Sequence, residues 1–177
     1  MKKNLKIFAI ALMSIFMFNC SNDEKTDDTN TGGGAVPSEG WRIGTTNYTT
    51  VFTMKNVSQP NSFAAFDRIP GLEDVNSVII LFNNITGIAA GTYKTVIKPN
   101  QEDLLANEIM ISMGTGYSQN TGKYLKDYTT ALDKSVNAVV TITGGKVKVV
   151  IPEIEIITVP INASSAKSTF AGTIIEK

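Results

Sequence analysis

Val139-Val140-Thr141-Ile142-Thr143-Gly144-Gly145-Lys146-Val147-Lys148-Val149-Val150 decides the fold of this chain. Two runs rich in β-branched residues flank a Gly-Gly pair, and glycine takes the positive φ angles of a two-residue hairpin turn without steric penalty. Pairing outward sets Thr143 opposite Lys146, Ile142 opposite Val147, Thr141 opposite Lys148 and Val140 opposite Val149. One face of the ribbon is then apolar and the other polar, as a half-buried antiparallel hairpin requires. Beyond Ile151 the same parity would turn Glu153 and Glu155 inward. Since Ile154 and Ile156 are the apolar residues there, the phase must slip near Pro152, which has no N–H to give to a ladder. A bend or bulge is expected at that point.

The rest of the domain repeats this grammar. Tyr48 to Lys55, Asn76 to Phe82, Gly91 to Ile97, Glu108 to Met113, Ile154 to Val159 and Thr169 to Ile175 are rich in Val, Ile, Thr, Tyr and Phe. Gly, Pro and Asn lie between them. Only Gln101 to Asn107 and Gly122 to Ala131 could hold a helical turn or two, so parallel strands with helical crossovers find no support. The pattern predicts an all-β fold, an antiparallel β-sandwich of about eight strands; a closed, lipocalin-like barrel is the alternative. Phe52, Phe82 and Phe170 are expected in the core, with Trp41 closing one end of the sandwich.

Upstream, the chain changes character. Lys2, Lys3 and Lys6 precede an apolar stretch from Ile7 to Phe18, and Cys20, the single cysteine, follows. That stretch is twelve residues long, whereas crossing the bilayer as a helix takes roughly 20. Residues 1–19 therefore read as a cleaved lipoprotein signal peptide, with Cys20 the lipidated residue. Three acyl chains such as palmitate would make the anchor effectively permanent. Met17-Phe18-Asn19-Cys20 is a loose lipobox and resembles those of Bacteroidota lipoproteins.

Residues 20–38 form an acidic and Gly-rich tether whose composition cannot bury enough surface to fold. Taken as a flexible chain, Ser21 to Ser38 spans about 23 Å. Asp23, Glu24, Asp27 and Asp28 resemble the signal that sends such lipoproteins to the outer face of the outer membrane. Ser21, in place of Asp after the cysteine, argues by the same resemblance against retention at the inner membrane.

Residues 39–177 make one domain with a sizeable core. The chain holds sixteen acidic and sixteen basic residues. Removal of Lys2, Lys3 and Lys6 leaves thirteen bases against the sixteen acids, a net charge near −3. No basic patch stands out in the sequence, so nucleic acid is not an expected partner. The chain has no histidine, and with Cys20 acylated the domain has no cysteine. Zinc sites, cysteine nucleophiles, Ser-His-Asp hydrolysis and disulfides are thereby excluded. No cofactor is expected.

Carboxylates remain. Glu153 and Glu155 share a strand face about 6.6 Å apart along the chain, a spacing open to glycoside hydrolysis, though the solvent face of an alternating strand is the simpler reading. Asp67, Glu73, Asp74 and Asn76, and again Asn100, Glu102 and Asp103, offer oxygens for calcium without EF-hand spacing, and read as solvated loops, so no metal site is predicted. Ser164-Ser165-Ala166-Lys167 matches Ser-x-x-Lys without its partner motifs and reads as a polar loop. Gly116 to Lys123 has the wrong glycine spacing for a phosphate loop.

Tyr117, Tyr124 and Tyr128 lie in a Gly- and polar-rich stretch with Asn120, Lys123 and Asp127. Rigid aromatics ringed by polar groups suit sugar or peptide surfaces, and these three tyrosines are the candidate ligand-binding residues. The domain also resembles small β-sandwich lipoproteins of unknown function from the Bacteroidota. Gly91-Thr92-Tyr93, the hairpin around Gly144-Gly145 and Phe170-Ala171-Gly172-Thr173 carry that resemblance. It implies a fold and an outer-membrane location and brings no catalytic residues. The expected function is a non-enzymatic, membrane-anchored binding module for a glycan or partner protein, exposed on the cell surface or, as the alternative, on the periplasmic face. The alternatives are a barrel-like carrier of an apolar ligand and a hydrolase using Glu153 or Glu155.

Overall fold

A computed structural model describes residues 35–57 and 59–177. The signal and the lipidation residue Cys20 lie outside the described residues, as does most of the tether. The domain is all-β, with 55% of residues in strands and 2% helical. Its strands are β1 (Gly40–Ile43), β2 (Thr46–Tyr48), β3 (Phe52–Lys55), β4 (Ser62–Phe66), β5 (Val75–Phe82), β6 (Gly91–Thr95), β7 (Glu108–Ser118), β8 (Lys123–Thr130), β9 (Asn137–Thr143), β10 (Lys146–Val159) and β11 (Lys167–Ile175).

The hydrogen-bonded order is β2-β1-β11-β10-β9-β6-β7-β5-β4-β3, with β8 pairing both β7 and β10. Two layers result, β2-β1-β11-β10-β9-β6 facing β3-β4-β5-β7-β8. The arrangement is a β-sandwich, and the closed-barrel alternative is incorrect. The space a barrel ligand would need is occupied by side chains of both layers, among them Phe63, Ile80, Ile111, Ile151, Ile156 and Phe170, all buried. The β6–β7 pair is parallel, where only antiparallel neighbours were expected. Its connection runs through residues 96–107 and contains one 3-10 turn, Gln101–Asp103, long enough to carry the chain back for a parallel start.

The β9–β10 register is Thr143↔Lys146, Ile142↔Val147, Thr141↔Lys148 and Val140↔Val149, as the sequence predicts. Gly144 (φ 59°) and Gly145 (φ 79°) both take left-handed angles, the signature of a type I′ turn. Val140, Val147 and Val149 are buried, while Ile142, beside the turn, is 41% exposed. The slip at Pro152 is also present. Ile151 pairs with Gly172 and Ile154 with Phe170, so three steps on β10 span two on β11. Ile154 and Ile156 are thereby kept inside.

Three short or irregular strands escape the sequence pattern: β1, β2 and β4. The helical turn allowed at Gly122 to Ala131 is instead β8, whose Tyr and Thr residues favour a sheet once a partner strand is present. Trp41 is fully buried in the main core and stacks on Tyr48 with ring centroids 5.6 Å apart. Phe82 and Phe170 join that core. Phe52 instead packs on a second cluster with Ala64, Phe66, Val75, Ile79 and Leu81 on the other face of β4 and β5. With both faces covered, β5 reads as the near-continuous apolar run Val78-Ile79-Ile80-Leu81-Phe82.

Candidate functional site

The region that gathers polar chemistry is the end of the sandwich where the β4–β5 loop meets the β7–β8 hairpin. Gly116 (φ 66°) makes a bulge in β7 opposite Asn76, whose Oδ1 accepts the Gly116 N–H at 2.9 Å. An extra residue of this kind re-aims the side chains beyond it. Tyr117 consequently faces the second cluster, and it meets its cross-strand partner Tyr124 edge-on at 5.3 Å. The Tyr124 ring lies across Gly114, where a Cβ would sit 2.5 Å from ring carbon Cγ. Its phenol oxygen accepts a hydrogen bond from Ser77 Oγ at 2.7 Å. Gln119 ties the hairpin to the loop, its N–H to Glu73 Oε1 at 2.9 Å and its amide to the Gly71 carbonyl.

Two carboxylates flank these rings. Asp67 accepts the Asn76 N–H (2.7 Å) and side-chain amide (2.6 Å). Burial still raises its pKa above the usual value despite those bonds and the nearby Arg68 charge. Asp127, on β8, presents its tip to solvent, yet its surroundings desolvate it and push its carboxyl up as well. It has no ion pair among the described residues. Tyr124 is pushed up to about 12, chiefly by burial, with the charges of Asp127, Tyr117 and Asp67 adding to it against the Ser77 hydrogen bond. Tyr48 is raised by burial, then by Asp67 and Tyr128. Burial is thus the largest cause of every shift in this region.

The three candidate tyrosines do not form one exposed set. Tyr117 and Tyr124 stand together, half-buried, while Tyr128 is 8% exposed and part of the main core. Four residues separate Tyr124 from Tyr128, so strand alternation alone would give them one face. Sequence reasoning named Asp127 as a neighbour but missed Asp67, Asn76 and Ser77 as part of the same region. Their pairing across β5 and β7 is a long-range consequence of the fold.

The remaining candidates are placed elsewhere. Glu153 Oε2 lies 2.6 Å from the Arg42 guanidinium, and Glu155 Oε1 lies 3.0 Å from Lys167 Nζ. The Lys167 hydrogen bond holds the Glu155 carboxyl below its usual range, the opposite of what a general acid needs. Ser164 lies in the turn before β11, its N–H bonded to Asn162 Oδ1. Among the described residues no three His, Cys, Asp or Glu converge on a common point. A shallow hollow of ≈ 530 Å³ is lined by Asn56, Gln59, Pro60 and Asn61. The Asn61 amide is already engaged by the carbonyls of Asn83 and Asn84.

No protein-family model, curated protein or solved structure matches the chain. Among the described residues no helix is long and apolar enough to cross a membrane.

Proposed function

We propose that the protein is a non-enzymatic binding module, held on the outer membrane by acyl chains on Cys20 and displayed on the cell surface, which takes a glycan at the β7–β8 hairpin. The observation that carries this reading is the carboxylate of Asp127. It is exposed on β8, has no ion pair among the described residues, and its charge acts on a tyrosine ring, Tyr124, held in place by Gly114 and Ser77. A carboxylate oxygen accepts from sugar hydroxyls, and a fixed aromatic covers the apolar face of a pyranose.

A second reading is favoured by exposed apolar side chains at the same end. Leu125 is 80% exposed, and Ile69 and Leu72 in the β4–β5 loop are 53% and 51% exposed. A partner protein would cover such residues. Screening the full chain on a glycan array and in pull-downs of surface proteins separates the two. Glycan retention that falls at least tenfold in Tyr124→Ala and Tyr117→Ala supports the glycan. Protein capture lost in Leu125→Asp supports the partner. Silence in both screens refutes the proposal.

A further inference from the structure

The outer face of the β1-β11-β10-β9-β6 layer carries an uneven charge balance. Its two acidic side chains on β10, Glu153 and Glu155, are taken up by Arg42 and Lys167. Lys146 and Lys148 on β10 and Lys94 on β6 project from the same layer, all exposed, and none makes an ion pair among the described residues. Around them the register places Thr92, Asn137, Val139 and Thr141, and the carboxylate beside Lys94, Glu108 on β7, is taken up by Lys98 at 3.4 Å. The neighbouring acid at the edge is Glu176. Burial works to raise its pKa, but the Lys55 ammonium and the Val147 N–H, each at 2.8 Å, together with the charge of Lys146, outweigh that and hold it low.

The chain enters the domain over this same face. Arg42, 5% exposed, donates to the Ala35 carbonyl at 2.9 Å while holding Glu153. Glu39 pairs with Lys177. The described chain is therefore fixed against the outer surface of this layer from Ala35 onward. Fourteen residues lie between Cys20 and Ala35, a contour of at most about 50 Å.

We infer that this face, through Lys94, Lys146 and Lys148, lies against the anionic phosphate headgroups of the membrane that holds the anchor. The inference rests on the anchoring part of the proposed function. Unpaired cations beside the point of attachment meet a surface whose charge is opposite and whose distance is limited by the tether. Lysines near an anionic surface each strengthen binding about fivefold, and the three together roughly 100-fold, with the effect screened by salt. The glycan hairpin meets this layer only at the far end of β10, where Asp127 pairs with Val159, thirteen positions from Lys146.

The test uses the chain from residue 20 with Cys20→Ala, so that no acyl chain contributes, and vesicles of phosphatidylcholine with or without 30% phosphatidylglycerol. Expected is sedimentation with the anionic vesicles only, reversed by about 0.5 M salt. The triple variant Lys94→Gln/Lys146→Gln/Lys148→Gln should lose it roughly 100-fold. Lys123→Gln/Lys126→Gln, on the opposite layer, should retain it, and the melting temperatures of both variants check folding. Equal binding to both vesicle types, or equal loss in the two variants, overturns the inference. A wild-type chain that proves unacylated yet binds anionic vesicles would overturn the anchor reading and leave the face standing.

Discussion

In the β9–β10 hairpin the turn is two glycines with nothing within 4 Å of where either Cβ would sit. In β7–β8, Gly114 and Gly116 lie inside the strand, and a Cβ on Gly114 would meet the Tyr124 ring at 2.5 Å. The first pair serves the backbone alone, since a type I′ turn needs left-handed angles. Gly114 serves a neighbour, leaving room for a ring to lie flat on the main chain. The first hairpin is regular, alternating and anchored in the main core. The second is bulged at Gly116, fastened by side-chain hydrogen bonds, and carries the half-buried tyrosines and a carboxylate, Asp127, without an ion pair among the described residues. A region built for stability and a region built around a site use the same residue type for different reasons.

Substitution at the two kinds of glycine should break that contrast most visibly. Gly114→Ala must displace Tyr124 and is expected to destabilise the domain by about 3 kcal/mol, the upper end for overpacking. Gly144→Ala meets only backbone strain and should cost about 1 kcal/mol. Urea titrations of the two variants measure the difference, and equal losses would show that the Tyr124 ring can move aside freely.

The far half of β10 gives the next effect. Glu153→Ala removes the counter-charge of Arg42, whose side chain is 5% exposed, and should destabilise by about 2 kcal/mol. Glu155→Ala breaks an exposed pair with Lys167 and should leave the melting temperature nearly unchanged. Thermal melts of both check that the bulge, and not the strand as a whole, depends on its ion pair.

The smallest effect concerns pH and has an unusual sign. Asp127 has a raised folded-state pKa, so the unfolded chain releases its proton first as pH rises. The folded state therefore loses stability between the unfolded and folded pKa values. Asp127→Asn should raise the melting temperature at pH 7, and the gain should vanish below about pH 4, where both states are protonated. A lower melting temperature at pH 7 would mean that Asp127 has a stabilising partner. A residue that weakens the fold where it is ionised fits one kept for binding.

Much of the regular half of the fold was legible because its signals are local. Alternation and Gly144-Gly145 set the hairpin register, and Pro152 together with the changed parity of Ile154 and Ile156 located the bulge. β1, β2 and β4 are three to five residues long, too short for periodicity to register. The parallel β6–β7 pair depends on where residues 96–107 return the chain, which no local pattern encodes. At the site, Tyr117, Tyr124 and Asp127 stood out by composition. Tyr128 is instead part of the main core, 8% exposed. Ser77, Asn76 and Asp67 join the region only through pairing between β5 and β7, some forty residues apart in the chain.

The most direct measurement is a glycan array probed side by side with the full chain, Asp127→Asn and Gly144→Ala. The expected result is that the wild type and Gly144→Ala retain the same saccharides, while Asp127→Asn, although at least as stable, loses them. Undiminished binding by Asp127→Asn, or no saccharide retained by the wild type, would contradict the assignment of the β7–β8 hairpin as the ligand site.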